Sequence, residues 1–261
     1  MTPEERLERA LSFGAIAEDY DRFRPGPPAA ARDWLLRDRV VTAVEIGAGT
    51  GGLTRLLVEQ AARVIAVEPD RRMGAVLTAR VPEASVVTAR AEALPVRDGR
   101  ADALLGSSMW HWVDEERAMA EAARVLRPGG VLGLLWSGPD RSQPWIQELF
   151  REARRRAGRR ERDGGWRDDD AARRRRHEVH LPDGAPFSTP ETMRLEFSIT
   201  VSTEQLVGMA GTFSGIAVLG DAQRVELRDR MTATVRDHPA LGHVDEIELP
   251  MRCICWRAVR R

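Results

Sequence analysis

The sequence predicts an α/β fold: a doubly wound, mostly parallel sheet of seven strands with helical cap insertions. Short apolar runs alternate with stretches of helical period, and a glycine turn joins the first run to the first helix. The chain has 261 residues, which is long enough to bury a large core. Strands that alternate with helices form parallel sheets covered on both faces, with ligands at the carboxyl ends of the strands.

The first half of the chain supplies five strands and three helices. Strands are expected at residues 41–46, 64–67, 85–88, 101–106 and 131–136, and helices at 53–62, 70–80 and 114–126. Asp70 and Asp114 are expected to act as N-caps of the second and third of these helices. An Arg-Pro-Gly-Gly stretch at 127–130 is expected to break the chain before the fifth strand.

The second half is expected to complete the sheet around inserted helices. We expect a strand at 193–201, helical stretches at 203–219 and 221–237, and a last strand at 247–259. The arginine-rich residues 151–176 fit either a solvated segment of compensating charge or a cap whose arginines face an anionic substrate. The predicted division is a single domain with a lid at 1–33, a core at 34–139, a cap at 140–192 and 203–245, and last strands at 193–202 and 246–261.

The amino-acid composition limits the kinds of partner that this chain is expected to bind. The formal net charge is zero, with 40 basic and 40 acidic residues, so the chain is not built to condense on nucleic acid or an anionic membrane. Its apolar runs are too short to span a bilayer, and the N-terminus lacks the apolar stretch of a signal peptide. Cys253 and Cys255 have no room for sensible disulfide geometry with each other and are expected to pack the last strand. These features predict a cytoplasmic protein without a membrane partner.

The glycine turn Gly47-Ala48-Gly49-Thr50-Gly51-Gly52 is the strongest local signal for a ligand site. It joins a strand to a helix, a setting in which backbone N–H groups approach a ligand without an intervening side chain. Glu68 ends the second strand, where a carboxylate accepts hydrogen bonds from the two hydroxyls of a ribose. Glu45 lies two residues before the turn and would repel a diphosphate but attract a cationic ligand.

Several motifs then resemble class I S-adenosylmethionine-dependent methyltransferases, which have a Rossmann-like sheet. Residues 45–51 (Glu-Ile-Gly-Ala-Gly-Thr-Gly) resemble the first motif and 67–70 (Val-Glu-Pro-Asp) the second. Further matches in the expected order are 17–25, 91–95, 107–112 and 126–130. Together they span about half the chain, and the remainder resembles the methyltransferase type 11 subgroup only loosely.

The resemblance implies S-adenosyl-L-methionine as cofactor and S-adenosyl-L-homocysteine as product. The cofactor-binding residues that it implies are Tyr20, Glu45, Gly47, Ala48, Gly49, Gly51, Leu53, Glu68, Pro69, Met73, Ala91, Glu92, Ala93, Ser107 and Ser108. Met73 fits a position in the core as well as a position against the adenine ring. Glu92 is either a ligand or a surface residue beside an adenine-binding backbone.

The acceptor is expected to be a small molecule bound near the Trp-His-Trp sequence, in a pocket that residues 145–176 and 203–219 help to shape. The candidate acceptor-binding residues are Trp110, His111, Trp112, Trp136 and Trp145. His111 suits proton removal near neutral pH, and Tyr20 is a weaker candidate for a proton relay. Alternatively, the Trp-His-Trp sequence is a packing cluster. The histidines and nearby carboxylates do not form a metal-binding pattern.

Three other functions remain open at this stage. The chain could bind the adenosyl cofactor without methylating anything, it could modify RNA through its arginine clusters, or it could use NAD through the glycine turn. The sequence does not identify the acceptor, the atom that is methylated or the oligomeric state.

Overall fold

The computed structural model describes residue 8 and residues 10–156, 178–213, 216, 219–239 and 241–261. Most of the arginine-rich segment that the sequence singled out, residues 157–177, therefore lies outside the described part of the chain. Both interpretations of that segment stay predictions.

A seven-stranded sheet in the order β3-β2-β1-β4-β5-β7-β6 forms the centre of the fold. The strands are β1 (Val40–Ile46), β2 (Ala61–Val67), β3 (Ser85–Val87), β4 (Ala101–Ser107), β5 (Leu126–Pro139), β6 (Glu191–Val201) and β7 (Ile247–Val259). The first five are parallel, and β7 runs antiparallel to both β5 and β6. The predicted doubly wound, mostly parallel α/β sheet is confirmed.

Eight α-helices are found in the described residues. They are α1 (Ala17–Phe23), α2 (Ala29–Leu35), α3 (Thr54–Gln60), α4 (Arg71–Arg80), α5 (Glu115–Val125), α6 (Pro144–Arg156), α7 (Thr203–Gly211) and α8 (Asp221–Asp237). The carboxylates of Asp70 and Asp114 accept from backbone N–H groups in the first turns of α4 and α5, as predicted for N-caps. No helix in these ranges is long and apolar enough to cross a membrane.

Several predicted boundaries are wrong: the helix expected at 203–219 ends at Gly211, and β2 begins at Ala61, within the helix expected at 53–62. The largest difference is at the start of the fifth strand. The Arg-Pro-Gly-Gly stretch was expected to break the chain, but β5 begins at Leu126 and includes it. The pairing register with β4 shifts between Ala101 and Ala103, which makes room for the extra residues. Gly129 N–H also donates to the Arg260 carbonyl (2.7 Å), so the sheet continues through the glycines.

Alternating side chains of the strands bury both faces of the sheet. Val44 and Leu104 belong to one apolar cluster, whereas Ala43 and Leu105 belong to another on the opposite face. Cys253 and Cys255 are fully buried in the second cluster as free thiols, which confirms their predicted packing role. A third cluster lies between α6, α7, α8 and the sheet, so these three helices share one apolar core with β6 and β7.

The N-terminal segment, residues 10–28, lies against α3, α4 and α7. Asp21 is paired with Arg55 of α3 (2.6 Å) and with Arg80 of α4 (3.0 Å). Gly14 packs so closely on the Asp70 carboxylate that an added Cβ would lie 2.0 Å from Oδ2. The segment is thus fixed over the beginning of α4, where the second motif ends.

Gly208 allows α7 to lie directly on α1. A Cβ at this position would fall 2.5 Å from the Phe23 ring, whereas a Cβ at Gly211, in the same helix, would meet nothing within 4 Å. We expect Gly208→Ala to lower the free energy of unfolding by roughly 1–3 kcal/mol, as overpacking does in cores. Gly211→Ala is the matched control and should be neutral or stabilising by up to about 1 kcal/mol. Urea unfolding of both variants checks this, and equal stabilities would contradict it.

Candidate cofactor and acceptor site

The glycine turn follows β1 and places three residues at positive φ: Gly47 (60°), Gly49 (59°) and Gly51 (93°). A Cβ at Gly47 would lie 2.7 Å from Cβ of Met109, and one at Gly51 would lie 3.2 Å from Leu77. A Cβ at Gly49 would meet only the Met73 methyl group, at 3.6 Å. Gly47 and Gly51 are therefore required by both φ and packing, whereas Gly49 leaves backbone open to a ligand.

The carboxylate of Glu68 is held by the backbone on both sides. Gly49 N–H donates to Oε2 (2.8 Å) and Asp70 N–H donates to Oε1 (2.9 Å). Burial raises the pKa of Glu68, while these two backbone donors act in the opposite direction. A carboxylate has about four acceptor positions, so each oxygen keeps capacity for a further donor such as a ribose hydroxyl.

Glu45 does not occupy the position that the sequence suggested. It is 1% exposed and does not line the cavity described below. Its Oε2 instead accepts from the Thr54 hydroxyl (2.5 Å) at the start of α3. Burial raises the pKa of Glu45 to about 8, and the nearby charge of Glu68 adds to the rise. Burial thus favours the protonated form of Glu45, and the structure shows its carboxyl group in a hydrogen bond with Thr54; its expected attraction of a cationic ligand stays a prediction.

The turn after β3 holds Glu92 in a fixed position. Glu92 accepts from Asp114 N–H (2.9 Å) and lies 3.4 Å from the Arg90 guanidinium, and its side chain is only 8% exposed. Glu92 is therefore not the surface residue that one interpretation proposed. Ala91 is buried and lines the cavity, whereas Ala93 is exposed and donates its N–H to the Arg90 carbonyl.

The carboxyl end of β4 carries the one non-glycine residue with positive φ in the described chain, Ser108 (55°). Its N–H donates to the Leu135 carbonyl at 2.7 Å, which fixes the turn against β5. Conformations of this kind are uncommon and concentrate at functional sites. Ser107 and Ser108 both line the cavity.

The Trp-His-Trp sequence forms a short 3₁₀ turn whose three rings face different surroundings. Trp110 is buried in the core and donates Nε1–H to Glu115 (2.9 Å), so it is a packing residue. His111 and Trp112 line the cavity, with ring centroids 4.7 Å apart. Phe13 lies edge-on to both Trp112 and Tyr20, which extends the aromatic wall onto the N-terminal segment.

These elements surround a cavity of about 250 Å³ at the carboxyl ends of the strands. It brings together most of the predicted site residues: Tyr20, Gly47, Gly49, Glu68, Pro69, Met73, Ala91, Glu92, Ser107, Ser108, His111, Trp112 and Trp136. It does not include Glu45, Ala48, Gly51, Leu53, Ala93, Trp110 or Trp145.

Several of the predicted site residues that do not line the cavity pack in the protein core. Leu53 and Ala48 are buried in core clusters, and Trp145 packs against the cluster between α6, α7, α8 and the sheet. Within the described ranges, no group of three or more His, Cys, Asp or Glu side chains is arranged to hold a metal ion.

The candidate residues named from the sequence omit several that line the cavity, among them Phe13, Arg24 and Ser137. Arg24 lies within the motif at 17–25, and Phe13 lies four residues before it. Thr212 and Phe213 also line the cavity, and they belong to the stretch 203–219 that was expected to shape the acceptor pocket, although no local signal singled out these two residues. Only the packing of α7 on α1 brings them to the cavity.

Comparisons with known proteins agree with this geometry. The family model described as a methyltransferase domain matches residues 44–134. An uncharacterized methyltransferase of Mycobacterium tuberculosis is 37% identical over 253 residues, which cover 97% of each chain. An uncharacterized methyltransferase-like protein of Schizosaccharomyces pombe is 28% identical over 243 residues, 91% of each chain.

A similar fold is found in a candidate type II methyltransferase from Anaeromyxobacter dehalogenans. That structure matches with a TM-score of 0.66 and 24% identity, over 91% of this chain and 98% of that one. The fold and the site define a methyltransferase domain. The chain belongs to the class I S-adenosylmethionine-dependent methyltransferases.

Proposed function

We propose that this enzyme transfers a methyl group from S-adenosyl-L-methionine to a small-molecule acceptor bound in the cavity. The main supporting observation is that expected cofactor-binding residues and aromatic residues line the same cavity. Glu68 and the open Gly49 backbone line it from the sheet, and Phe13, Tyr20 and Trp112 line it with aromatic rings. A cavity lined by aromatic rings suits a small, partly apolar molecule better than an extended polymer.

The residues fit the adenosyl cofactor. The Glu68 carboxylate, held by two backbone donors, keeps acceptor capacity for a ribose diol, and Gly49 leaves the turn open. Met73 and Ala91 offer apolar surface to a base, and Pro69 continues that wall. When bound, the cofactor supplies a methyl carbon that its sulfonium already activates.

The remaining work for the protein is to position the acceptor and exclude water. In-line transfer requires the acceptor atom and the methyl carbon to be held roughly 3–3.5 Å apart. The N-terminal segment contributes Phe13, Tyr20 and Arg24 to the cavity wall and would shield the reaction from solvent. His111 is the candidate to accept a proton from an acceptor that is still protonated at neutral pH, such as a hydroxyl.

The proposal is tested in two measurements on the full chain. Calorimetry should show binding of S-adenosylhomocysteine and no comparable binding of NADH. Incubation with S-adenosylmethionine and a broad metabolite panel should release S-adenosylhomocysteine with particular acceptors. Binding without turnover on any acceptor would favour a non-methylating role. Turnover on RNA alone, with strong salt dependence, would favour RNA modification and contradict the small-molecule proposal.

The role of His111 has its own test. For an acceptor whose reacting atom is protonated, we expect His111→Asn to lower kcat by about 100-fold or more, within the range of general base catalysis. KM for the cofactor should change little, since the effect concerns proton removal. Steady-state kinetics with Trp145→Phe as a control outside the cavity wall checks this. An unchanged kcat would assign His111 to packing.

A further inference from the structure

Arg24 lines the cavity and has no acidic partner among the residues that the structure describes. It is half-buried and follows α1, and its backbone N–H donates to the Tyr20 carbonyl (2.9 Å). Its guanidinium lies over the Phe213 ring, 4.6 Å from the centroid, and 5.9 Å from the centroid of Tyr20. Among the residues that the structure describes, none forms an ion pair or a hydrogen bond with this guanidinium. Stacking holds its plane while leaving the N–H donors available.

The other ionised groups of the cavity wall already have hydrogen-bond or ion-pair partners. Glu68 accepts from two backbone N–H groups, as described above. Arg90 and Glu92 pair with each other at 3.4 Å, and Glu92 also accepts from Asp114 N–H. Within the described ranges, Arg24 is thus the arginine of this wall whose charge is not balanced by a neighbouring carboxylate. A half-buried charge of this kind favours an anionic ligand.

Ser137 gives a second, independent indication of a polar ligand. It lies near the end of β5 and lines the same cavity as Arg24. Its Oγ is buried and has no hydrogen-bond partner within the described residues. Buried hydroxyls are normally paired, so an unpaired one on a residue that lines a cavity points to a polar group that a ligand supplies.

We propose that the acceptor carries a carboxylate group, which Arg24 binds, with the Ser137 hydroxyl as a further donor. This inference rests on the proposed function and specifies its substrate class. The remaining lining of Phe13, Trp112 and Phe213 is aromatic, so the acceptor is an organic acid with an apolar or planar body. One unbalanced guanidinium matches the single charge of a carboxylate, whereas a phosphate monoester brings nearly two charges.

The experiment uses phenylacetate and phenylacetamide, which differ in whether this group is charged. Each probe is titrated into the full chain by calorimetry, with and without saturating S-adenosylhomocysteine. We expect phenylacetate to bind at least about 10-fold more tightly than the amide, and Arg24→Gln to remove this preference. Ser137→Ala should reduce the preference about 3-fold or more. Phenyl phosphate, titrated in parallel, should bind more weakly than phenylacetate.

The matched control is Arg22→Gln, two residues away in α1. Arg22 pairs with Glu204 of α7 (2.8 Å), so its loss loosens the same contact between α1 and α7 without touching the cavity wall. This variant should keep the preference for the acid. No detectable binding of phenylacetate, equal affinities for both probes, a preference retained in Arg24→Gln, or tighter binding of phenyl phosphate would each overturn the inference. Failure of S-adenosylhomocysteine to bind is a separate result that tells against the proposed function.

Discussion

Glu68→Gln should raise the dissociation constant for S-adenosylhomocysteine by about 100-fold or more. Gly49 N–H and Asp70 N–H donate to different oxygens of the Glu68 carboxylate, so both oxygens must act as acceptors. A glutamine offers only one oxygen, and its NH₂ group would face the remaining N–H, leaving a buried donor unpaired. The substitution therefore disturbs the turn at Gly49 and also removes charge-assisted contacts to a ribose, which are among the stronger hydrogen bonds in proteins. Calorimetric titration of the purified variant measures the change.

Loss of binding has to be separated from loss of stability. Glu121 is a suitable control, since it also accepts from a backbone N–H (Leu94, 2.7 Å) and from Arg124, but lies outside the cavity wall. Glu121→Gln should lower the melting temperature yet keep the affinity for S-adenosylhomocysteine within about 3-fold. A folded Glu68→Gln protein with unchanged affinity would show that Glu68 is not a ligand for the cofactor.

Local chemistry explains what the sequence predicted correctly. Asp70 and Asp114 were predicted as N-caps because a helix start needs a side-chain acceptor, and both accept from backbone N–H groups as expected. The glycine turn was recognisable because positive φ restricts the choice of residue at Gly47 and Gly49. Each of these signals lies within a few neighbouring residues, so no knowledge of the tertiary structure was required.

Which predicted site residues line the cavity depends on the direction in which each side chain points. Glu45 and Glu68 are both acidic residues near the end of a buried strand, but Glu45 turns toward Thr54 and Glu68 toward the glycine turn. Trp110 and Trp112 belong to one 3₁₀ turn, yet only Trp112 lines the cavity. Spacing in the sequence does not distinguish such pairs, because the neighbours that decide their orientation come from other elements. The same holds for Arg24, whose stacking partner, Phe213, follows α7.

The free energy of unfolding should fall as the pH rises from about 5 to about 8, and Glu45 should cause much of this fall. Burial raises the folded-state pKa of Glu45 from 4.5 to about 8. Well below pH 4.5 the side chain is protonated in both the folded and the unfolded state, so it does not change the free energy of unfolding. Between these values the unfolded chain releases the proton while the folded protein retains it, which favours unfolding by about 1.4 kcal/mol per pH unit. The full contribution is roughly 5 kcal/mol, complete once the pH exceeds the folded pKa. Urea unfolding at pH 5, 7 and 9 measures it.

Glu45→Gln isolates this contribution, because an amide does not titrate and its oxygen can still accept from the Thr54 hydroxyl. We expect the variant to be within about 1 kcal/mol of the parent at pH 5 and several kcal/mol more stable at pH 9. Thr54→Val removes the hydroxyl that favours the ionised form, so the pKa of Glu45 should rise further and the loss of stability should extend to higher pH. Parallel stability profiles for the parent and Glu45→Gln would mean that Glu45 is ionised in the folded protein. Its charge would then be available to a cationic ligand after all, and the electrostatic role first suggested by the sequence would be restored.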